Sequence, residues 1–325
     1  MKTRVVLSVD TEPSVAGVFQ APETRVPLLD ELVAGEINGR SEALGFMLET
    51  LGEHGLTATF FVEALHTRAL PERRMGAHVD RILAAGHDVQ LHFHPVWRSW
   101  SGLMLHPSER FTDASATIGR AELADMLGEG MAQMKRWTGV KPTGARAGNY
   151  SAALPVLQAS TDVGIRYTSH ICLAVQPPPE PELRLAGGVH DIAGVREMPV
   201  TCFQDHGLAS RGLRPLQVNA VSSAEMRQVL DAMYRAAAPV AVIVAHPFDF
   251  IKRRDQQFTG MRVDHLVQRR WRRLCAFLAA SRDRFEVTTL EGAGSIVQPF
   301  MAKPLANGVI TGTVRALANY ANNHR

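Results

Sequence analysis

The segment Leu-His-Phe-His-Pro-Val-Trp, residues 91–97, sets His92 and His94 one residue apart. In extended chain, residues i and i+2 point to the same side, so both imidazoles can approach one cation. A second pair with this spacing, Asp10 and Glu12, follows the apolar run Val5–Val9. Carboxylates and two histidines make a donor set for a divalent ion, most simply zinc, with nickel, cobalt and manganese as alternatives. Taken singly, each has a plain structural reading. An acid at a strand end often caps the next helix, and His87, between Gly86 and Asp88, reads as packing. Only convergence in space would make them a site.

Convergence depends on the elements that carry these residues. Val5–Val9 and Thr57–Val62 are β-rich runs, and between them Leu44, Met47, Leu48 and Leu51 fall at i, i+3, i+4 and i+7, with Ser41 as N-cap and Gly55 as stop. A helix bearing Val79, Ile82 and Leu83 ends at Gly86 and feeds the strand Asp-Val-Gln-Leu. Another bears Leu123, Met126, Leu127, Met131 and Met134, a stripe that reads as core, and ends near Gly139 before Thr-Gly-Ala-Arg-Ala-Gly. Later strands are predicted at Ile-Arg-Tyr-Thr, Glu-Met-Pro-Val-Thr, Val-Ala-Val-Ile-Val-Ala and Glu-Val-Thr-Thr, separated by helices near Leu154, Met226–Met233 and Leu266–Leu278. Seven or eight βα units predict a closed parallel barrel, whose active site lies at the C-terminal ends of the strands. Asp10, Glu12, Glu63, His92, His94, Arg146 and His246 all follow predicted strands and therefore share one rim.

Composition narrows the field without choosing a function. With 46% hydrophobic and 21% charged residues among 325, the chain reads as ordinary globular protein. The net charge of +3 is small, and the basic runs Ile-Lys-Arg-Arg-Asp and Gln-Arg-Arg-Trp-Arg-Arg-Leu read as a solvated helix face, so no nucleic acid partner is expected. Three widely spaced cysteines, Cys172, Cys202 and Cys275, argue for reduced thiols. The N-terminal apolar run stops at Asp10, and the longest apolar stretch is about half a membrane span. A cytoplasmic protein with no transmembrane segment is expected. Residues 1–295 read as one barrel domain with a lid-like insertion at about 13–39, whose Glu36 and Arg40 are expected to help define the substrate. Residues 296–325 read as a tail that packs on the barrel or on a second copy of the chain.

Six segments in order, LSVDTEP, GLTATFFVEAL, AAGHDVQLHFHP, KPTGARAGNYS, DVGIRYTSH and VIVAHPFDF, resemble the polysaccharide deacetylase superfamily (NodB homology, carbohydrate esterase family 4) in a divergent, WalW-like form. The resemblance spans roughly Arg4 to Leu290. It implies a distorted (β/α)7 barrel, a divalent metal and hydrolysis of an N-acyl group on an amino sugar. It also implies Asp10 as catalytic base, Arg146 as the arginine that orients it, His246 as general acid and His92 as the first metal histidine. Two positions depart from the pattern. Thr11 stands where the metal carboxylate usually follows the base, which moves that role to Glu12. Val96 stands where the second metal histidine usually lies, which leaves His94 as the nearest substitute.

The expected activity is therefore metal-dependent removal of an acyl group, foremost acetyl, from an amino sugar in a glycan or glycolipid precursor. Glu63, Trp97 and Tyr150 are the expected substrate-binding residues, the two aromatics by stacking on a sugar face. An amidohydrolase acting on a small non-sugar amide and a non-catalytic carbohydrate-binding relic remain open alternatives.

Overall fold

The apolar run at Val5–Val9 extends in the computed structural model to a nine-residue strand, Thr3–Thr11 (β1). The structure describes residues 1–206, 212–295 and 305–323. Seven further strands run parallel to β1 in the same sheet: Thr59–Glu63 (β2), Asp88–Phe93 (β3), Gly144–Ala147 (β4), Tyr167–Thr168 (β5), Val195–Glu197 (β6), Val240–Ala245 (β7) and Phe285–Val287 (β8). The order is β6-β5-β4-β3-β2-β1-β7. β8 lies against the start of β1, on Thr3–Val5, and the short strand His190–Ile192 adds antiparallel to β6. Helices Leu44–His54 (α1), Glu72–Ala84 (α2), Arg120–Thr138 (α3), Leu154–Asp162 (α4), Ser223–Arg235 (α5) and His265–Ala280 (α6) fall between the strands, and Val309–Asn323 (α7) follows them. This is the distorted (β/α)7 barrel expected from the sequence.

Closure is irregular. The segment Glu-Met-Pro-Val-Thr, predicted as a strand, contributes only Glu197 to β6. Pro199 has no N–H to give a ladder. Single bonds replace one: Met198 N donates to Thr168 O at 2.8 Å, and Thr201 N donates to Val242 O at 3.1 Å. Val244 N then donates to Leu216 O, so β7 is bonded on its outer edge by loop backbone rather than by a strand.

The helices follow the apolar spacing closely. Gly55 and Gly139 adopt the left-handed conformation that ends α1 and α3. The Ser41 hydroxyl accepts from Gly45 N at 2.9 Å although α1 begins at Leu44. Leu83 departs from expectation. The buried stripe of α2 is Met75, His78, Val79 and Ile82, and Leu83 lies past its edge, 38% exposed.

Residue parity along the strands explains where the site forms. On β1, Val5, Leu7 and Val9 pack outward against the helices, whereas Val6 faces the barrel interior with Phe61, Val240, Val242 and Val244. Both faces are buried, as in parallel sheets covered by helices. Continuing the inward parity past each strand end leads to Asp10 and Glu12, to Glu63, to His92 and His94, to Arg146 and to His246.

The basic runs are divided among several roles. Arg270 is buried and donates to Asn219 O and Asn319 Oδ1, and the Arg272 guanidinium lies 4.7 Å from the Phe46 ring centroid.

Candidate active site

At the rim, the Glu12 Oε2 atom sits 2.6 Å from His94 Nε2 and 3.1 Å from His92 Nε2. One ligand atom from each of the three lies within 4.8 Å of the others. A carboxylate oxygen and two imidazole nitrogens are a fitting donor set for zinc or a similar ion. Burial would raise the Glu12 carboxyl, but His94 and His92 outweigh it and hold the group well below the usual carboxylate range. Burial would lower His94, yet Asp113 and Glu12 lift it well above the usual imidazole range. A cation at this position would take the place of the His94 proton.

Next to the triad lie a buried carboxylate, Asp10, and the imidazole of His246. Asp10 is buried, its Oδ1 accepting from Arg146 at 2.6 Å and its Oδ2 from the Tyr150 hydroxyl at 3.4 Å. Arg146 is fully buried and is itself fixed by donation to Ser169 O and Ser169 Oγ. His246 Nε2 stands 3.7 Å from Asp10 Oδ2, and its Nδ1 is 3.2 Å from Asp249. Burial disfavours a charged His246, but Asp249, with Asp10 and Glu12 behind it, raises its pKa to about 9. That direction favours the protonated imidazole at neutral pH.

The other predicted residues occupy different places. Glu63 is fully buried. Its Oε1 accepts from Leu65 N, its Oε2 has no partner among the described residues, and burial pushes its pKa well above the usual range. Tyr150 is buried, with its hydroxyl on Asp10 rather than in an open groove. Trp97 lines the cavity above the triad but is almost wholly covered, packed 5.4 Å from Trp100. That leaves the rings of Trp97 and Tyr150 little face on which a sugar could stack. Glu36 is exposed, and Arg40 pairs with Glu49 at 3.2 Å, so neither is part of the cavity wall. From the 13–39 segment it is Pro13, Ser14, Val15 and Leu32 that line the cavity. His87 is buried against Phe60 with both ring nitrogens unpartnered, and burial lowers its pKa.

Against this geometry, no family model matches the chain, and no curated protein sequence matches it. Solved structures do. A Mycobacterium smegmatis protein assigned to the polysaccharide deacetylases superposes with a TM-score of 0.56 at 15% identity, over 93% of this chain and 95% of its own. The chain has the polysaccharide deacetylase fold. Two more members of the deacetylase fold align over similar lengths. A family 4 carbohydrate esterase from Streptomyces lividans gives a TM-score of 0.42 at 12% identity, over 94% of this chain and 98% of its own. A family 4 acetyl xylan esterase from Clostridium thermocellum, solved with cobalt, gives 0.40 at 13% identity, over 90% and 91%. Among the described residues no helix is long and apolar enough to cross a membrane.

Three residues that matter in this deacetylase fold escaped the sequence reading. Asp113 accepts from His94 Nδ1 at 2.8 Å, from Asn149 and from Val96 N, and so fixes which way the His94 ring faces. Nothing in sequence marks an acid 19 positions downstream in an irregular segment. Gly148 lies so close to His94 that an added Cβ would collide with the imidazole ring. Asp249 accepts from His246 N, a contact that the His-Pro-Phe-Asp spacing does signal, since an acid three residues after a cap position bonds back to it.

Proposed function

We propose that the chain is a metal-dependent hydrolase that removes an N-acyl group, foremost acetyl, from an amino sugar. One observation carries the reading. The carboxylate–imidazole triad Glu12, His92 and His94 adjoins an arginine-bound Asp10 and a His246 whose pKa is raised to about 9. A divalent ion held by the triad would supply Lewis acidity, which acidifies water and polarises an acyl carbonyl. Asp10, oriented by Arg146 and Tyr150, removes the proton of the attacking water. His246, held protonated by Asp249, donates to the departing nitrogen, so the amine leaves neutral rather than as an unstable anion. Asp113 keeps the His94 ring in register through Nδ1, as outer partners of metal histidines generally do.

Amine release from N-acetylated sugars and simple amides by the zinc-loaded protein tests this proposal. Asp10→Asn is expected to lower kcat by about 10²–10⁴ with metal content unchanged, the usual range for a general base. A metal-loaded wild type that binds glycans yet releases no amine from any N-acylated compound would make it a carbohydrate-binding protein instead.

A further inference from the structure

Above Glu12 and His94 lies a cavity of about 380 Å³, in the size range of small-molecule sites. Besides the turns that follow β3 and β7, two further segments outside the barrel strands wall it. Val15 and Leu32 belong to the 13–39 insertion, and Ile251, Arg253 and Phe258 belong to a hairpin in which Ile251–Arg253 pairs antiparallel with Met261–Val263. The two segments are joined. Gln257 donates to Ala16 O at 2.7 Å and to Val26 O at 3.2 Å, and Ile251 and Phe258 share an apolar cluster with Ala16, Leu28 and Leu32. The insertion is also pinned to α2, where Asp30 meets Arg74 at 2.7 Å and His78 at 2.9 Å. The walls are therefore anchored.

Phe258 has a φ of 56°, a left-handed conformation that an aromatic residue adopts only when its surroundings hold it there. Asp255 does so, accepting from Gln257 N and Thr259 N and turning the chain beneath the ring. The Arg253 guanidinium lies 5.2 Å from the Phe258 ring centroid. Among the described residues it has no carboxylate partner. The cavity's acids are already engaged, Glu12 by the two histidines and Asp113 by His94 and Asn149. What remains is a largely apolar chamber with Glu12 and His94 of the triad at its floor and one uncommitted cation, Arg253, on its wall.

We propose that this cavity takes a single N-acylated small molecule bearing an anionic group, and that Arg253 is the residue that selects for the anion. The inference rests on the deacylase reading for the position of the amide, but not for the recognition of charge. Apolar walls accept either the face of a sugar ring or a hydrocarbon side chain, so the anion is either the phosphate of an amino sugar phosphate or the carboxylate of an N-acyl amino acid. A planar guanidinium recognises both through paired N–H donors.

Two matched pairs of probes test it: N-acetylglucosamine with its 6-phosphate, and N-acetylphenylalanine methyl ester with the free acid. Amine release by the zinc-loaded protein and calorimetric binding to the metal-free protein are measured for wild type, Arg253→Gln and Arg253→Lys. In at least one pair the anionic member should be favoured about tenfold in kcat/KM and in affinity, the scale of one charge-assisted contact, and that pair names the body of the substrate. Arg253→Gln should bring the ratio close to one, and Arg253→Lys should restore part of it. No preference in either pair, or a preference that survives in Arg253→Gln, overturns the proposal. Anion-selective binding without amine release would remove the deacylase reading and leave this one standing. Hydrolysis indifferent to the anion would do the reverse.

Discussion

In the proposed mechanism, His246 is the residue through which pH acts on this site. Its raised pKa of about 9, set by Asp249 against the effect of burial, puts the loss of the donated proton well above neutrality. The alkaline limb of kcat should fall near pH 9, and Asp249→Asn should move it to lower pH, which a pH–rate profile of both proteins would reveal. An unmoved limb would assign the titration elsewhere. The same shift has a consequence for stability. Folding lifts this imidazole above its ordinary value of 6.5, so its stabilising contribution is complete below that pH and is lost as pH rises through about 9. Gly148 acts by size alone. An alanine there would push the His94 ring away from Glu12, and a disturbed ligand shell typically weakens metal binding by about 10–100-fold. Equilibrium dialysis against zinc, with circular dichroism to show the fold retained, would detect it.

At the scale of elements, the tail is part of the domain's packing. Residues 296–304 lie outside the described residues, but Leu305–Ala306 pairs with the strand Cys202–Asp205, and α7 follows. From α7, Arg315 is buried and reaches Asp205 at 2.6 Å and Glu225 at 2.9 Å, with Asn307 donating to both acids. Glu225 also closes the capping box of α5 with Ser222. Arg315→Ala would leave two buried carboxylates short of a cation. Losing one partner of a buried pair costs about 3–5 kcal/mol, and the low end is expected because Arg214 and Asn307 remain on these acids. Urea denaturation should show this fall, and wild-type stability in the variant would mean that the tail merely rests on the surface.

For the molecule as a whole, a divalent ion at the triad would couple folding, charge and catalysis. Glu12, His92 and His94, at and just past the ends of β1 and β3, crowd one point, and Asp113 and Glu12 favour a protonated His94 whose proton a cation would displace. Zinc binding at pH 7 should release about one proton, and below the raised His94 pKa its affinity should fall about tenfold per pH unit. Calorimetry in buffers of different ionisation enthalpy measures that proton directly, and binding without release would place the ion elsewhere. Chelation should lower the melting temperature, since a ligand at 100 times its Kd stabilises the folded state by about 2.7 kcal/mol.

The alternation of β-rich runs with amphipathic stretches was enough to predict a parallel barrel, because both periodicities are local properties of the chain. The i, i+2 pairs Asp10/Glu12 and His92/His94 were legible for the same reason. A strand's parity carries directly from sequence to space, and Glu12, His92 and His94 do converge. What depends on distant segments was not legible. Glu-Met-Pro-Val-Thr looked like a strand until the place of Pro199 in the closing seam was known, and Glu36 and Arg40 looked like lid charges until the fold turned the apolar side of that segment inward. Asp113, Gly148 and the uncommitted cation at Arg253 acquire meaning only from neighbours far along the chain. Local pattern sets which face a residue takes, but only packing decides what it meets there.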